Sequence, residues 1–358
     1  MNEIRVSTPG RICLFGEHQD YLGLPVISCA ISRRVTISGT PTPSPVLSLD
    51  LPDIRKKIAL PLNRPLPYRE ERDYLRSTCN IMHRAGYTFH NGFSGLVKGD
   101  IPINSGTSSS SALICSLVAL LARLSDQALD LEPMEIARLA HQAEVLEFAE
   151  PGGMMDHIST ALGGILYIQF QPDVAIARLP SRLGTFVLGD SREPKDTRGI
   201  LHRVKNGVLD IVSRLAVSNP GFSLRSVDRS ELKRFDLSNE EHDLLDGALH
   251  NRDLTRQALQ LLQQEGAPER RFGDLLNQHQ NVLREQLKIS TARIDRMLAA
   301  ALAAGAWGGK INGSGGGGCM FAYAPGCSEK VAEAIEGAGG KACAIYGDGG
   351  TRIEKTFP

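Results

Sequence analysis

The chain has 358 residues, more than one hydrophobic core usually serves, so two domains of roughly 150 to 200 residues each are expected. Apolar residues make up 42% of it and charged residues 22%, the balance of a soluble globular chain, which excludes extensive disorder. With 40 basic against 40 acidic residues the formal charge is zero, so no chain-wide field draws it to nucleic acid or to an anionic membrane, and neither is expected as a partner.

In chain order, Ile4 to Val6 reads as a short strand running into a turn at Pro9-Gly10, and Arg11 to Phe15 as a second extended stretch. Residues 40–69 are proline-rich and read as irregular structure with short edge strands. Tyr74 to Ala85 fits a helix, and Gly92 to Val97 a strand that leads into the polar run Asn104 to Ser111. Ala112 to Leu124 is apolar on nearly all sides, as a buried helix should be, and at about 13 residues falls short of the ~20 a membrane span needs.

From Pro133 to Phe148, Ile136, Leu139, Ala140, Ala143 and Leu146 keep helical spacing while Glu147 does not, and Pro151-Gly152-Gly153 breaks the pattern. Ile165 to Phe170 and Thr185 to Leu188 read as strands. The composition then turns more helical and charged, which puts a domain boundary near residue 180. Helical patterns fill much of 200–303, the glycine-rich segment Gly305 to Gly318 follows, and Cys319 to Tyr323 reads as a strand. No internal repeat is visible. The seven cysteines are odd in number, scattered and without a CxxC pair, and the N-terminus shows no basic segment followed by an apolar one, so a reducing, cytoplasmic setting is expected.

Three stretches carry chemistry. The serine run places Gly106 and a cluster of small hydroxyls directly before a long apolar helix, where unpaired N–H groups and the helix dipole suit an anion; a serine-rich cap or flexible loop reads equally well from this run alone. In the glycine-rich segment, Gly313, Gly315 and Gly318 match GxGxxG, but CMFAYA follows where a dinucleotide fingerprint must open a helix. Gly309-Lys310 lacks the upstream glycine and the following Ser or Thr of a Walker A loop. What remains is either a flexible turn or a place where a ligand or another backbone approaches closely. Glu17 and Asp20 in GEHQDY, and Asp156 in GGMMDH, are carboxylates in loop settings, each of which could equally be a turn or cap residue.

Taken together and in order, these stretches resemble the GHMP kinase superfamily, and most of all galactokinase. PGRICLFGEHQDYLG (Pro9 to Gly23) looks like the galactokinase signature, PINSGTSSSSA (Pro102 to Ala112) like the superfamily's phosphate loop, and KINGSGGGGCMFAY (Lys310 to Tyr323) like its glycine-rich C-terminal motif. The resemblance implies an α+β, two-domain fold: residues 1–180 as an N-terminal domain like that of ribosomal protein S5 with the ATP-binding serine loop, and residues 181–358 as a ferredoxin-like C-terminal domain. It further implies an ATP- and Mg2+-dependent kinase acting on a sugar hydroxyl. Gly106, Thr107, Ser108, Ser109, Ser110 and Ser111 would cradle the phosphates, and Ser110 and Glu144 would hold magnesium. Asp156 would orient the acceptor hydroxyl with Arg11 beside it, and Glu17, His18, Asp20 and the backbone of Gly153 would contact the sugar.

The sequence departs from the galactokinase pattern in three places. Thr107 and Ser111 replace the usual Leu and Ala of the phosphate loop, and Asp190 to Lys205 lacks the tyrosine-containing string, with His202 falling at the tyrosine, and reads more like mevalonate kinase. The implied acceptors are therefore a galactose-like sugar, another monosaccharide and mevalonate, in that order. A catalytically silent sugar-binding protein is the non-enzymatic alternative. The oligomeric state is not implied.

Overall fold

A computed structural model describes residues 3–355 apart from 104, 196 and 265–268. Asn104 of the serine run and Asp196 of the 190–205 segment therefore lie outside the described residues. The first sheet draws on β1 (Ile4–Phe15), β2 (Val26–Thr42), β3 (Val46–Leu51), β4 (Lys56–Pro61), β5 (Gly92–Gly99), β6 (Ile165–Gln169) and β7 (Ala175–Arg178). Helices α1 (Tyr74–Arg84), α2 (Ser109–Leu124), α3 (Pro133–His141) and α4 (Met155–Leu162) pack on it. The second sheet draws on β8 (Phe186–Asp190), β9 (Gly308–Ile311), β10 (Cys319–Tyr323) and β11 (Lys341–Ile345). With it go α5 (Thr197–Leu201), α6 (Gly207–Ser218), α7 (Asn239–Leu262), α8 (Glu269–Asn281), α9 (Ala292–Ala303) and α10 (Ser328–Gly337).

The first sheet runs β12-β1-β2-β5-β3-β4 with β6 and β7 branching from β2, where β12 (Arg352–Lys355) is the end of the chain returning to pair with β1. The second is fully antiparallel in the order β11-β8-β10-β9; numbered along the chain this is 4-1-3-2 with α9 and α10 as its crossovers, the split βαβ arrangement of ferredoxin-like folds. Mixed helices and sheets in two such layers are the α+β fold expected.

Local differences from the sequence reading have physical causes. Ile4 to Phe15 is one strand rather than two, because β1 and β2 absorb the Pro9-Gly10 pair as a register shift between Pro9 and Arg11. The proline-rich 40–69 region closes β2 and then forms the β3–β4 hairpin, in which β4 is the edge strand and Pro61 its last residue, a position where a missing N–H is tolerated. The helix begun at Pro133 widens after His141, with Glu147 N–H reaching back five residues to Gln142 O; this extra residue in the turn explains why Glu147 falls off the helical spacing.

Between the sheets lies a shared floor. Ile12, Leu14 and Phe15 of β1 pack against Phe186, Leu188, Phe272, Phe321 and Tyr323, all at most 1% exposed. The floor is one packed apolar layer, so the loops that leave β1 and β9 start from fixed points.

Candidate active site

At the open ends of these strands is a cleft of about 650 Å³, within the range of small-molecule sites. Arg11, Glu17, His18, Asp20, Gly106, Ser108 to Ser111, Glu144, Gly153 and Asp156 all line it, so segments up to 145 residues apart in sequence converge there.

Arg11 is 4% exposed and binds the Asp156 carboxylate through Nε at 2.8 Å and Nη2 at 2.6 Å. Burial pushes the Asp156 carboxyl upward, but the charge and hydrogen bonds of Arg11 outweigh it and hold the group below its usual range. Arg11 Nη1 also donates to Gly106 O, tying the carboxylate to the serine loop.

In that loop Gly106 has φ +87°, and a Cβ there would sit 2.7 Å from Asn312 O and 2.8 Å from Lys195 Nζ. Ser108 takes a left-handed conformation at the head of α2, and its buried hydroxyl makes no cap bond but lies close enough to Asp156 to help lower that carboxyl. The loop is thus not a serine-capped helix start: Ser108 to Ser111 line the cleft instead. Thr107 differs from its neighbours. It is 1% exposed, its hydroxyl is bonded to Ser105 Oγ at 2.8 Å, and its carbonyl accepts from Arg11 N–H at 3.2 Å, so it lies behind the cleft lining.

Glu144 sits in the widened turn after α3, which rotates it inward toward the head of α2. Burial would raise its carboxyl, yet the His157 hydrogen bond and charge, helped by the Ser110 and Ser111 hydroxyls, bring it below the usual range. The His157 Nε2 to Glu144 Oε2 distance is 2.8 Å. Among the described residues no group of three metal-ligating side chains exists. One carboxylate beside a hydroxyl nevertheless fits magnesium, which keeps several waters and takes its other oxygens from phosphates.

The other end of the cleft is built from the GEHQDY turn. His18 has φ +63°, and its ring bridges Tyr21 OH (2.6 Å) and Ser314 O (3.1 Å); burial first, then nearby Lys195, lowers its pKa to about 4, so it is a neutral imidazole. Asp20 pairs with no cation among the described residues, and burial together with the Asp156 charge lifts it to about 6. A Cβ at Gly153 would lie 2.0 Å from Asp20 Oδ2, so the absence of a side chain there is what admits the carboxylate. Glu17 differs from the expectation of a free sugar ligand. Its side chain is 1% exposed and one oxygen is taken by Lys310, itself 0% exposed. Removing one partner of such a buried pair costs roughly 3–5 kcal/mol, whereas replacing both is often close to neutral, so this carboxylate is committed to the fold.

Sequence reasoning missed Lys195, Lys205, Lys310, Asn312 and His157. Lys195 stands between the serine loop and the glycine-rich loop, lowered to about 8 by burial and then by Arg11. Lys205 donates to Pro151 O at 2.9 Å and lies 5.3 Å from the Tyr21 ring centre, bracing the Gly152-Gly153 loop from the second layer. Both sit in the 190–205 segment, whose departure from the galactokinase pattern was the available signal.

Residues 73–164 match the GHMP kinases N terminal domain, 257–342 the GHMP kinases C terminal domain, and 2–41 the galactokinase galactose-binding signature. The mevalonate kinase of Thermococcus onnurineus is 27% identical over 99% of both chains. The galactokinase of Mannheimia succiniciproducens is 24% identical, covering 93% of this chain and 87% of its own. Among solved structures, Lactococcus lactis galactokinase complexed with galactose superposes with a TM-score of 0.83 at 21% identity, over 99% of this chain and 95% of that one. No described helix is long and apolar enough to cross a membrane.

Proposed function

The chain belongs to the GHMP kinase superfamily, a family of small-molecule kinases, and from that premise we propose that it transfers the γ-phosphate of ATP, with Mg2+, to a hydroxyl of a neutral monosaccharide, the anomeric hydroxyl of galactose or a close relative first. The observation that carries the sugar reading is Asp20: a carboxylate facing the cleft next to Gly153 and near Asp156, with no cation bonded to it among the described residues. Such a group is an acceptor for hydroxyl donors and repels an acceptor molecule that itself carries a carboxylate.

The residues divide the work. Backbone N–H groups and hydroxyls of Ser108 to Ser111 receive the phosphates, with Lys195 adding a charge from the opposite side. Ser110 and Glu144 would hold magnesium, which supplies charge neutralisation across the phosphate oxygens when bound. Asp156, kept ionised by Arg11, is a weak ground-state base but a firm hydrogen-bond acceptor. It orients the incoming hydroxyl and receives its proton late, as a transfer governed by positioning and charge requires.

A mevalonate acceptor is the second reading, favoured by the 27% identity to a mevalonate kinase and by the form of the 190–205 segment. Measuring ADP release from Mg-ATP against galactose, N-acetylgalactosamine, glucose, arabinose, glucuronate and mevalonate separates the two. Turnover of a neutral sugar supports the first reading. Turnover of mevalonate alone establishes the second, and silence with intact ATP binding leaves a sugar-binding protein.

A further inference from the structure

Lys310, the buried partner of Glu17, and Asn312 stand at the end of β9, and both are 0% exposed. Together they satisfy the backbone of a single residue in the other layer. Cys13 N–H donates to Asn312 Oδ1 at 2.9 Å, and Lys310 Nζ donates to Cys13 O at 2.8 Å. Cys13 lies just before the register shift between Cys13 and Phe15 in the β1–β2 ladder, between Arg11 and the GEHQDY turn. Two side chains thus do locally what a neighbouring strand does elsewhere.

Each of the two then reaches further, in different directions. Asn312 Nδ2 donates to Gly106 O at 2.7 Å, the same carbonyl that receives Arg11 Nη1, so it holds the first residue of the phosphate loop. Lys310 Nζ donates to the Glu17 carboxylate and to Ile311 O at 3.0 Å, holding the residue that precedes His18 and opens the acceptor turn. An amide suits the first task because it accepts and donates in one plane. An ammonium suits the second because it has three donors and all three are used.

We infer that Lys310 and Asn312 are positioning residues that divide the two substrates between them: Asn312 sets the phosphate loop through Gly106 and governs nucleotide binding, while Lys310 sets the acceptor turn through Glu17 and governs acceptor binding. Neither touches a reacting atom. The acceptor half rests on the kinase reading above; the nucleotide half does not.

The test compares Asn312→Ala with the paired variant Glu17→Gln/Lys310→Met, which removes both buried charges together. Mg-ATP affinity is read by calorimetry, the acceptor KM with the substrate the wild type turns over, and folding by thermal melting. Asn312→Ala should weaken Mg-ATP about tenfold, the scale of one lost hydrogen bond, and leave the acceptor KM within about twofold. The paired variant should do the reverse, raising the acceptor KM about tenfold at near-constant nucleotide affinity. If the pair melts too low to assay, Lys310→Arg, which keeps the charge but not the single-atom reach to Cys13 O, tests the same arm. Equal effects on both substrates, or an unchanged Mg-ATP affinity in Asn312→Ala, overturn the division. A wild type silent on all acceptors defeats the sugar-kinase reading instead, and the contrast in Mg-ATP affinity between the two variants still decides this one.

Discussion

The two ends of the cleft are built on opposite principles. At the end proposed to hold the phosphates the carboxylates arrive already paired, Asp156 with Arg11 and Glu144 with His157, beside the serines at the head of α2. At the proposed acceptor end Asp20 has no cation partner among the described residues, His18 is held neutral, and shape depends on a missing side chain at Gly153. A phosphate needs the same geometry whatever it is transferred to, so the first end can be fixed in one loop and one ion pair. The second end must read a particular molecule, and its unspent hydrogen-bonding capacity is what does the reading.

The sharpest way to break this comparison is at the residue both ends share. Asp156→Asn keeps the shape and much of the Arg11 contact but removes the charge that receives the hydroxyl proton. Turnover should fall by about a thousandfold, within the ~10²–10⁴ range for a positioned acid–base group, with Mg-ATP affinity changed less than about threefold. Substantial residual kcat would take Asp156 out of the reaction and leave the Arg11 pair a structural contact.

The same contrast explains what could be read from the sequence. The serine loop and its helix are legible because their parts are contiguous: glycine, serines and a long apolar helix follow one another, and the apolar run buries α2 with its head at the cleft. Glu144 was placed through resemblance, and only the widened turn shows how it comes to face inward. The Glu17–Lys310 pair is not legible in the sequence because the two stand 293 residues apart, and nothing local says that this carboxylate rather than Asp20 meets a buried cation. Lys195 and Lys205 escaped because cations in a charged, irregular segment look solvated until the opposing loops are in place.

Lys195 tests whether the phosphate end is complete without the second layer. Lys195→Met should raise the KM for ATP about tenfold, as loss of a charge-assisted contact does, and leave the acceptor KM nearly unchanged. The ammonium is lowered to about 8 by burial and by Arg11, so in the wild type it is charged below that pH and neutral above it. Nucleotide affinity should therefore decline as pH rises through about 8. The Met variant should lose that decline. A wild type whose ATP affinity is flat from neutral to alkaline pH would show that the loop amides suffice alone.

Asp20 gives the smallest effect and the finest discrimination. Its carboxyl, raised to about 6 by burial and by Asp156, is charged above that pH and neutral below it. His18, lowered to about 4, and Asp156, held below its usual range by Arg11, do not change state across the same window, and Arg11, raised by Asp156 against its burial, stays cationic throughout. For a neutral sugar, protonation weakens the acceptors offered to its hydroxyls, so the acceptor KM should rise about three- to tenfold as pH falls through about 6, and Asp20→Asn should flatten the profile. For an acceptor that carries its own carboxylate the sign reverses. Protonation removes a repulsion, and the KM should fall over the same interval. The slope of acceptor KM against pH between neutral and mildly acid conditions thus reports what kind of molecule the unpaired end of the cleft is built to read.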